Sequence, residues 1–284
     1  MEGPKTALGW GPSASANGEA DTDPAANAPL ARRQSTWRQV ENAKSKAGPL
    51  SAVSSGVRSN CPRVVGYILL RMLIESRAVA PFHKNGFIVS CEDTREAVLI
   101  DPGDEIADLL GIAGKRQLTV RYILLTHAHM DHVSGVAAAK RATGAPIGVH
   151  RGDLFLYESA VTQGALFGYT LEQPPAPDFF YDPAAPLVFG NCRIHVHHTP
   201  GHSPGGVCLR PEPPGAADTH LFVGDTLFAQ SIGRTDLPGG DYQTLMASIR
   251  GVLFGFGDAA IVHPGHGPDT TIGDERRANP FLQA

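Results

Sequence analysis

The sequence predicts a mixed α/β domain that runs from about residue 64 to the C-terminus. Three observations predict it. Short apolar runs of strand length alternate with turns marked by glycine and proline. Stretches with helical periodicity are interspersed among them. No repeat of solenoid length competes with this reading. The 284 residues suit one large domain plus appendages, and a hydrophobic content of 42% is enough for a sizeable core.

Among the first 60 residues Ala, Ser, Gly and Pro account for 30, and Leu, Ile, Val and Phe for only six. So few large apolar side chains cannot offset the entropy of ordering the segment. Residues 1–63 are therefore expected to be disordered, and 64–284 to form the folded domain. No apolar h-region marks a secretory signal, and Glu19, Asp21 and Asp23 are out of place in an organelle transit peptide. A start further along the chain is a third reading, because "MLIESRAVAPFHKNGFIV" from Met72 reads like the beginning of a compact domain.

"VVGYILLRMLI", Val64 to Ile74, reads as the first buried strand. It is far shorter than the ~20 apolar residues that span a bilayer, and Arg71 interrupts it. "GFIVSC" and "AVLIDPG" read as strands joined by the turn-like "EDTRE". "VRYILLTHAH" is a strand running into a polar cluster. After it, Asp131 is expected to cap a helix through "DHVSGVAAAKRATG" that stops at Gly144. "APIGVH" is another strand. "DYQTLMASIRGVLFG" is the clearest helix, with Leu245, Ile249, Val252 and Leu253 on one stripe and Asp241 as N-cap.

Charge and cysteine usage narrow the function. Net charge is −4 with no basic stripe, which argues against nucleic acid as a partner. Cys61, Cys91, Cys192 and Cys208 are scattered without C-x-x-C spacing, which favours a reducing, cytoplasmic setting over a disulfide framework.

The polar clusters repeat one design. "YILLTHAHMDH", "RIHVHHTPGH", "THLFVGD" and "AAIVHPGHG" are each an apolar strand running into a tight turn that carries His or Asp. Turn residues at strand ends are exposed while the strands fix their positions, so neighbouring strands would gather these turns into one site. The candidates are His127, His129, Asp131, His132, His202, Asp225 and His266. Imidazole and carboxylate without thiolate suit Zn, Fe or Mn. Seven donors exceed one tetrahedron and suit two ions about 3.5–4 Å apart that share a carboxylate and a water.

These residues carry a resemblance. "THAHMDH" fits the H-x-H-x-D-H motif of the metallo-β-lactamase superfamily. "TPGHSPGG", "FVGDTLF", "SIGRTDLPGGD" and "HPGHGPDTTIGDERRANPF" are similar to its hydroxyacylglutathione hydrolase (glyoxalase II-like) branch, in particular the short form. The resemblance runs from about Met72 to the C-terminus. It implies an αββα sandwich with the metal site at one edge. It also implies two divalent ions, zinc foremost. His127, His129 and His202 would hold the first, Asp131, His132 and His266 the second, and Asp225 would bridge them. Asp101 in "LIDPG" would support the ligand loop. Larger members of the branch carry a C-terminal helical extension that grips glutathione, whereas only 18 residues follow His266 here.

The implied activity is hydrolysis of a thioester, with S-2-hydroxyacylglutathione as the first choice of substrate. A single bound zinc lowers the pKa of water from 15.7 to about 7, so no separate general base is required. A thiolate leaves readily because a free thiol has a pKa near ~8.5. Asp225 is expected to be essential to catalysis through both ions. Asp131 is read as either a ligand or a proton acceptor, and the sequence leaves both open. Arg234 in "GRTD" is read either as a clamp on a substrate carboxylate or as a partner of Asp236 or Asp241, the latter favoured. Phe167 and Tyr169, in the loop "LFGYTLEQPP", are candidates for lining the mouth of the site. The rival activity is that of a persulfide dioxygenase with one iron on His127, His202 and Asp225. A metal-binding module without turnover is the non-enzymatic alternative. Gly201 to Gly205 spells G-x-S-x-G, but "GVCLR" after it reads as a strand, whereas a nucleophile elbow leads into a helix. His195, His197 and His198 read as packing or surface residues.

Overall fold

A computed structural model describes residues 72–215 and 218–283. Two six-stranded sheets carry the fold, flanked by helices. The first sheet contains β1 (Met72–Arg77), β2 (Gly86–Cys91), β3 (Glu96–Ile100), β4 (Thr119–Leu124), β5 (Ile147–Val149) and β6 (Phe179–Phe180), in that spatial order. Between them lie α1 (Ile106–Lys115), α2 (Met130–Val133), α3 (Val136–Thr143), α4 (Leu154–Glu158) and α5 (Ala160–Leu166). The second sheet is built from β7 (Leu187–Phe189), β8 (Cys192–His198), β9 (Val207–Glu212), β10 (His220–Gly224), β13 (Ile261–Pro264) and β14 (Thr270–Thr271), ordered β14-β13-β10-β9-β8-β7. A small hairpin, β11 (Leu227–Phe228) with β12 (Ser231–Ile232), follows β10. The helices α6 (Tyr242–Gly251) and α7 (Ile272–Ala278) complete the described chain.

Alternation of side chains along the strands creates the layers. Phe87, Val89, Val98, Ile100 and Leu124 point from the first sheet toward Phe189, Ile194, Val196, Leu209 and Phe222 of the second. Their neighbours Ile88, Leu99, Ile123 and Ile147 point the other way, onto Leu109, Ile112 and Val136 of the outer helices. Leu221, Val223 and Val262 do the same from the second sheet onto Leu245, Ile249 and Ile272. Strands buried on both faces read as continuous apolar runs, which is why "AVLI" and "LFV" lack polar alternation. Each such buried side chain contributes about 1.5–3 kcal/mol. The expected αββα sandwich is therefore observed.

The pairing directions explain the helices. β3, β4, β5 and β6 run parallel, as do β10 and β13, and parallel neighbours need crossovers. Helix α1 supplies the first crossover and α2–α3 the second. The α6 expectation holds: the Asp241 side chain accepts from the Thr244 N–H at 2.7 Å, and Leu245, Ile249 and Leu253 are buried. Val252 is only partly buried and caps the helix.

Two expectations need correction. The helix expected through Gly144 is two pieces. Asp131 lies inside α2 with helical neighbours and does not cap it; His129 is the N-cap. The break falls at Gly135, where a Cβ would collide with the Gly103 and Pro102 carbonyls. Gly144 does end α3, in the left-handed conformation glycine favours. The described part of the first strand, Met72–Arg77, runs past Ile74 and is an edge strand that is only partly buried, where a buried strand was expected. The rest of the Val64–Ile74 run, and the segment 1–63, lie outside the described residues.

Candidate metal centre

The four polar turns meet at one end of the sandwich. β4 delivers His127, His129, Asp131 and His132, β8 delivers His202, β10 delivers Asp225, and β13 delivers His266. All seven sequence candidates come together. His129 Nδ1 lies 2.8 Å from His202 Nε2, which is 3.2 Å from His127 Nε2. His266 Nε2 lies 3.0 Å from Asp131 Oδ2, and His132 Nε2 lies 3.6 Å from the same oxygen. Asp225 stands between the two groups. Its Oδ1 is 3.3 Å from His132 Nε2, and its Oδ2 is 3.6 Å from His202 Nε2 and 3.7 Å from His266 Nε2.

This donor set fits metal ions. His127, His129 and His202 converge as one three-atom group, and Asp131, His132 and His266 as a second. His132 Nε2 and Asp225 Oδ1 face each other in the cluster and are buried without a hydrogen-bond partner. Buried polar atoms are normally satisfied, so two orphans side by side in one cluster fit a site that takes a cation. Nitrogens about 3.3 Å apart are what tetrahedral Zn–N bonds of 2.0–2.1 Å require.

Surrounding groups fix which ring atoms face inward. His202 Nδ1–H donates to the Arg234 carbonyl at 2.8 Å, so Nε2 is the free donor atom. His132 Nδ1–H donates to Asp101 Oδ2 at 3.0 Å, leaving Nε2 toward Asp225. Asp101 also accepts from the Thr126 N–H at 2.6 Å and from the Thr126 hydroxyl. It thus braces the loop before His127, as its strand-end position suggests. Its φ of 48° is uncommon for a residue with a side chain. A Cβ on Gly265 would collide with Asp225 Oδ1 and His132 Cε1, so only glycine lets this turn approach the carboxylate.

Electrostatics leave His127, His129 and Asp225 in ligand-competent forms, whereas His132 would give up a proton to bind a cation. Burial, with His132 beside it, holds His127 well below its ordinary imidazole value, and burial with His202 lowers His129 to about 4. Burial also opposes charge on His132, but Asp131, Asp101 and Asp225 outweigh it and push that imidazole up to about 10. Burial works against ionisation of Asp225, yet His132 and its neighbours hold its carboxyl well below the usual range. Neutral imidazole and ionised carboxylate are the forms that bind metal.

The remaining candidates divide. The Arg234 guanidinium is paired with Asp236, Nε to Oδ1 and Nη2 to Oδ2 both at 2.7 Å, and is more than half exposed. It is the Arg234 main chain that serves the cluster. Phe167 lines a cavity that opens beside His129. Tyr169 instead packs on Phe82, with ring centroids 4.5 Å apart. Ser203, in the G-x-S-x-G stretch, leads into β9 and donates to Asp153 Oδ2 at 2.8 Å. His195 pairs with Glu212, His197 packs on Phe256 and His198 stacks on His150, and none of the three belongs to a donor group.

Sequence reading missed three supports. Asp153 is fully buried and accepts from the Ala128 N–H at 3.0 Å, from Ser203 Oγ and from the Gly205 N–H, tying the two histidine loops together. A signal for it exists: "IGVHRGD" is a fifth apolar strand running into a polar turn. Lys84 is buried, with Nζ 2.9 Å from Glu105 Oε1 and a second bond to the Asp101 carbonyl. Asn85 donates to the Pro264 and Gly267 carbonyls at 3.0 and 2.8 Å and so holds the turn that carries His266. Neither of these has a local sequence signal.

A two-sheet sandwich with this histidine–aspartate cluster at one end defines a metallo-β-lactamase-type protein. Residues 81–266 match the Metallo-beta-lactamase superfamily, and the chain belongs to it. Hydroxyacylglutathione hydrolase GloC of Haemophilus influenzae is 37% identical over 215 residues, which cover 75% of this chain and 99% of GloC. The crystal structure of TTHA1623 in a di-iron-bound form is 41% identical with a TM-score of 0.65, covering 73% of this chain and all of that one. BLEG-1 B3 metallo-beta-lactamase is 36% identical with a TM-score of 0.67, over 75% of this chain and 100% of its own. The resemblance drawn from the motifs is thereby borne out.

Proposed function

We propose that this chain is a binuclear metal-dependent hydrolase of thioesters, acting on an S-2-hydroxyacylglutathione or a close relative of one. The observation that carries the reading is the pair of three-residue donor groups with Asp225 between them. His127, His129 and His202 would hold one ion, Asp131, His132 and His266 the other, and Asp225 would touch both. When bound, such ions lower the pKa of water and polarise a carbonyl oxygen. Zinc suits the donors; the di-iron-bound relative keeps iron in contention.

The chain's own groups favour a thioester over an amide. Every acid and imidazole at the centre is committed to the cluster, and Asp131 is engaged by His266. That supports Asp131 as a ligand in preference to a free proton acceptor. None of these groups stands apart to protonate a departing amine, and a thiolate needs no such help. The similarity to a hydroxyacylglutathione hydrolase points the same way. The described cysteines, Cys91, Cys192 and Cys208, are free thiols, which suits a reducing cytoplasmic setting. No helix among the described residues is long and apolar enough to cross a membrane.

The test is hydrolysis of S-D-lactoylglutathione with metal content measured on the same sample. Two ions per chain and turnover are expected. In Asp225→Ala, metal should fall to one ion or fewer, and kcat should drop at least about a hundredfold. One iron per chain with oxygen uptake on glutathione persulfide would instead establish the dioxygenase.

A further inference from the structure

We infer that the cavity beside His129 is an acyl-binding pocket that selects thioesters with an apolar acyl chain of several carbons; this rests on the thioester reading above and names its substrate class. The cavity holds about 370 Å³ and includes His129 in its wall. One side is Phe155 and Leu156 of α4, with Leu166 and Phe167 at the end of α5. Leu237 and Pro238, from the loop that follows the Arg234–Asp236 pair, also line it. The volume is in the range of small-ligand sites, and the cavity is open on one side, where Phe155, Leu166 and Phe167 are 48%, 79% and 57% exposed.

Two of the polar side chains in the wall are engaged by main-chain carbonyls of α4. Ser159 Oγ donates to the Phe155 carbonyl at 2.7 Å, and Gln163 Nε2 to the Leu156 carbonyl at 2.6 Å. Thr162 sits at the exposed rim. Among the described residues, no lysine, arginine, aspartate or glutamate lines the cavity.

A thioester held at the cluster extends in two directions from its carbonyl. Glutathione carries two carboxylates and an ammonium, and burying these without partners costs several kcal/mol. That half is excluded from this cavity and stays on the solvent side. The acyl half is the occupant the lining accepts. A lactoyl group, with two carbons and a hydroxyl beyond the carbonyl, would leave most of the space unfilled and place a polar group against leucine and phenylalanine. Burying a methylene is worth about fourfold in affinity or kcat/KM.

The experiment uses the full chain reconstituted with zinc. kcat/KM is measured for acetyl-, butyryl-, hexanoyl- and D-lactoylglutathione. In parallel, calorimetry measures binding of S-methyl- to S-hexylglutathione, thioethers that cannot be hydrolysed. The expected result is a rise of about fourfold per methylene in both series, with hexanoyl at least about tenfold better than lactoyl. Phe167→Asp, at a position already more than half exposed, should flatten both series without disturbing the core. Flat series in the unaltered protein, or slopes unchanged by Phe167→Asp, would overturn the pocket while lactoylglutathione hydrolysis upheld the hydrolase. A binding slope without any thioester turnover would uphold the pocket and overturn the hydrolase. Flat series together with a dimer that Phe167→Asp dissociates would give the surface to a second copy and overturn the inference.

Discussion

A single carboxylate holds the two histidine loops in register. Asp153 accepts hydrogen bonds from the residue between His127 and His129 and from the residue after His202. Its two oxygens face only donors. In Asp153→Asn the amide group would have to point at either the Gly205 N–H or the Ala128 N–H, donor against donor. A buried donor left unsatisfied costs about 1–3 kcal/mol. We therefore expect Asp153→Asn to lose about that much in urea unfolding and to weaken metal binding, with the seven proposed ligands intact. Ser203→Ala removes one bond and leaves the carboxylate its two N–H donors, so its loss should be the smaller, about 1 kcal/mol. Equal stability and metal affinity for Asp153→Asn and the unaltered protein would refute the bracing role. Gly265→Ala acts at the same scale by a different route. The added methyl collides with Asp225 and His132, so the predicted signature is lost metal with near-native circular dichroism.

The connection between β1 and β2 behaves as a strut. Lys84 enters from it, is fully buried and engages both Glu105 and the Asp101 carbonyl, while Asn85 holds the turn after β13. Removing one partner of a buried ion pair strands the other, at a cost of about 3–5 kcal/mol. Lys84→Ala should lose that much in denaturant unfolding. Combining Lys84→Met with Glu105→Gln should recover much of it. The pair is then neutral, and the substituted side chain still offers a carbonyl oxygen to the Gly103 N–H that Glu105 now accepts. A double variant no better than the single one would contradict this. The strut also shows which elements a sequence can disclose. Strands that end in His or Asp turns are legible because both the apolar run and the donor are local, and His127 to His266 are found that way. Asp153 obeys the same rule. Lys84 does not, since its partners, the Asp101 carbonyl and the Glu105 carboxylate, lie 17 and 21 residues on. The break between α2 and α3 is equally nonlocal, because the carbonyls that require Gly135 belong to the β3–α1 loop.

At the scale of the molecule, the cluster joins the two sheets. His127, His129, Asp131 and His132 follow β4 of the first sheet, whereas His202, Asp225 and His266 follow β8, β10 and β13 of the second. Each proposed ion would therefore draw ligands from both sheets, and an unfolded chain has no such arrangement to offer. A ligand that binds only the folded state adds about 2.7 kcal/mol at a free concentration one hundred times its Kd. For a domain of this size about 1 kcal/mol corresponds to 2–4 °C in Tm. Removing the ions with a chelator should thus lower Tm by about 5–10 °C for each site emptied, and titrating metal back should raise it with the logarithm of free concentration. Asp225→Ala should show a smaller rise under the same titration, because its loss weakens both sites. Melting that is insensitive to chelator and metal alike would mean that these turns, though adjacent, hold no cation between the sheets. The hydrolytic reading would then fall with the clamp.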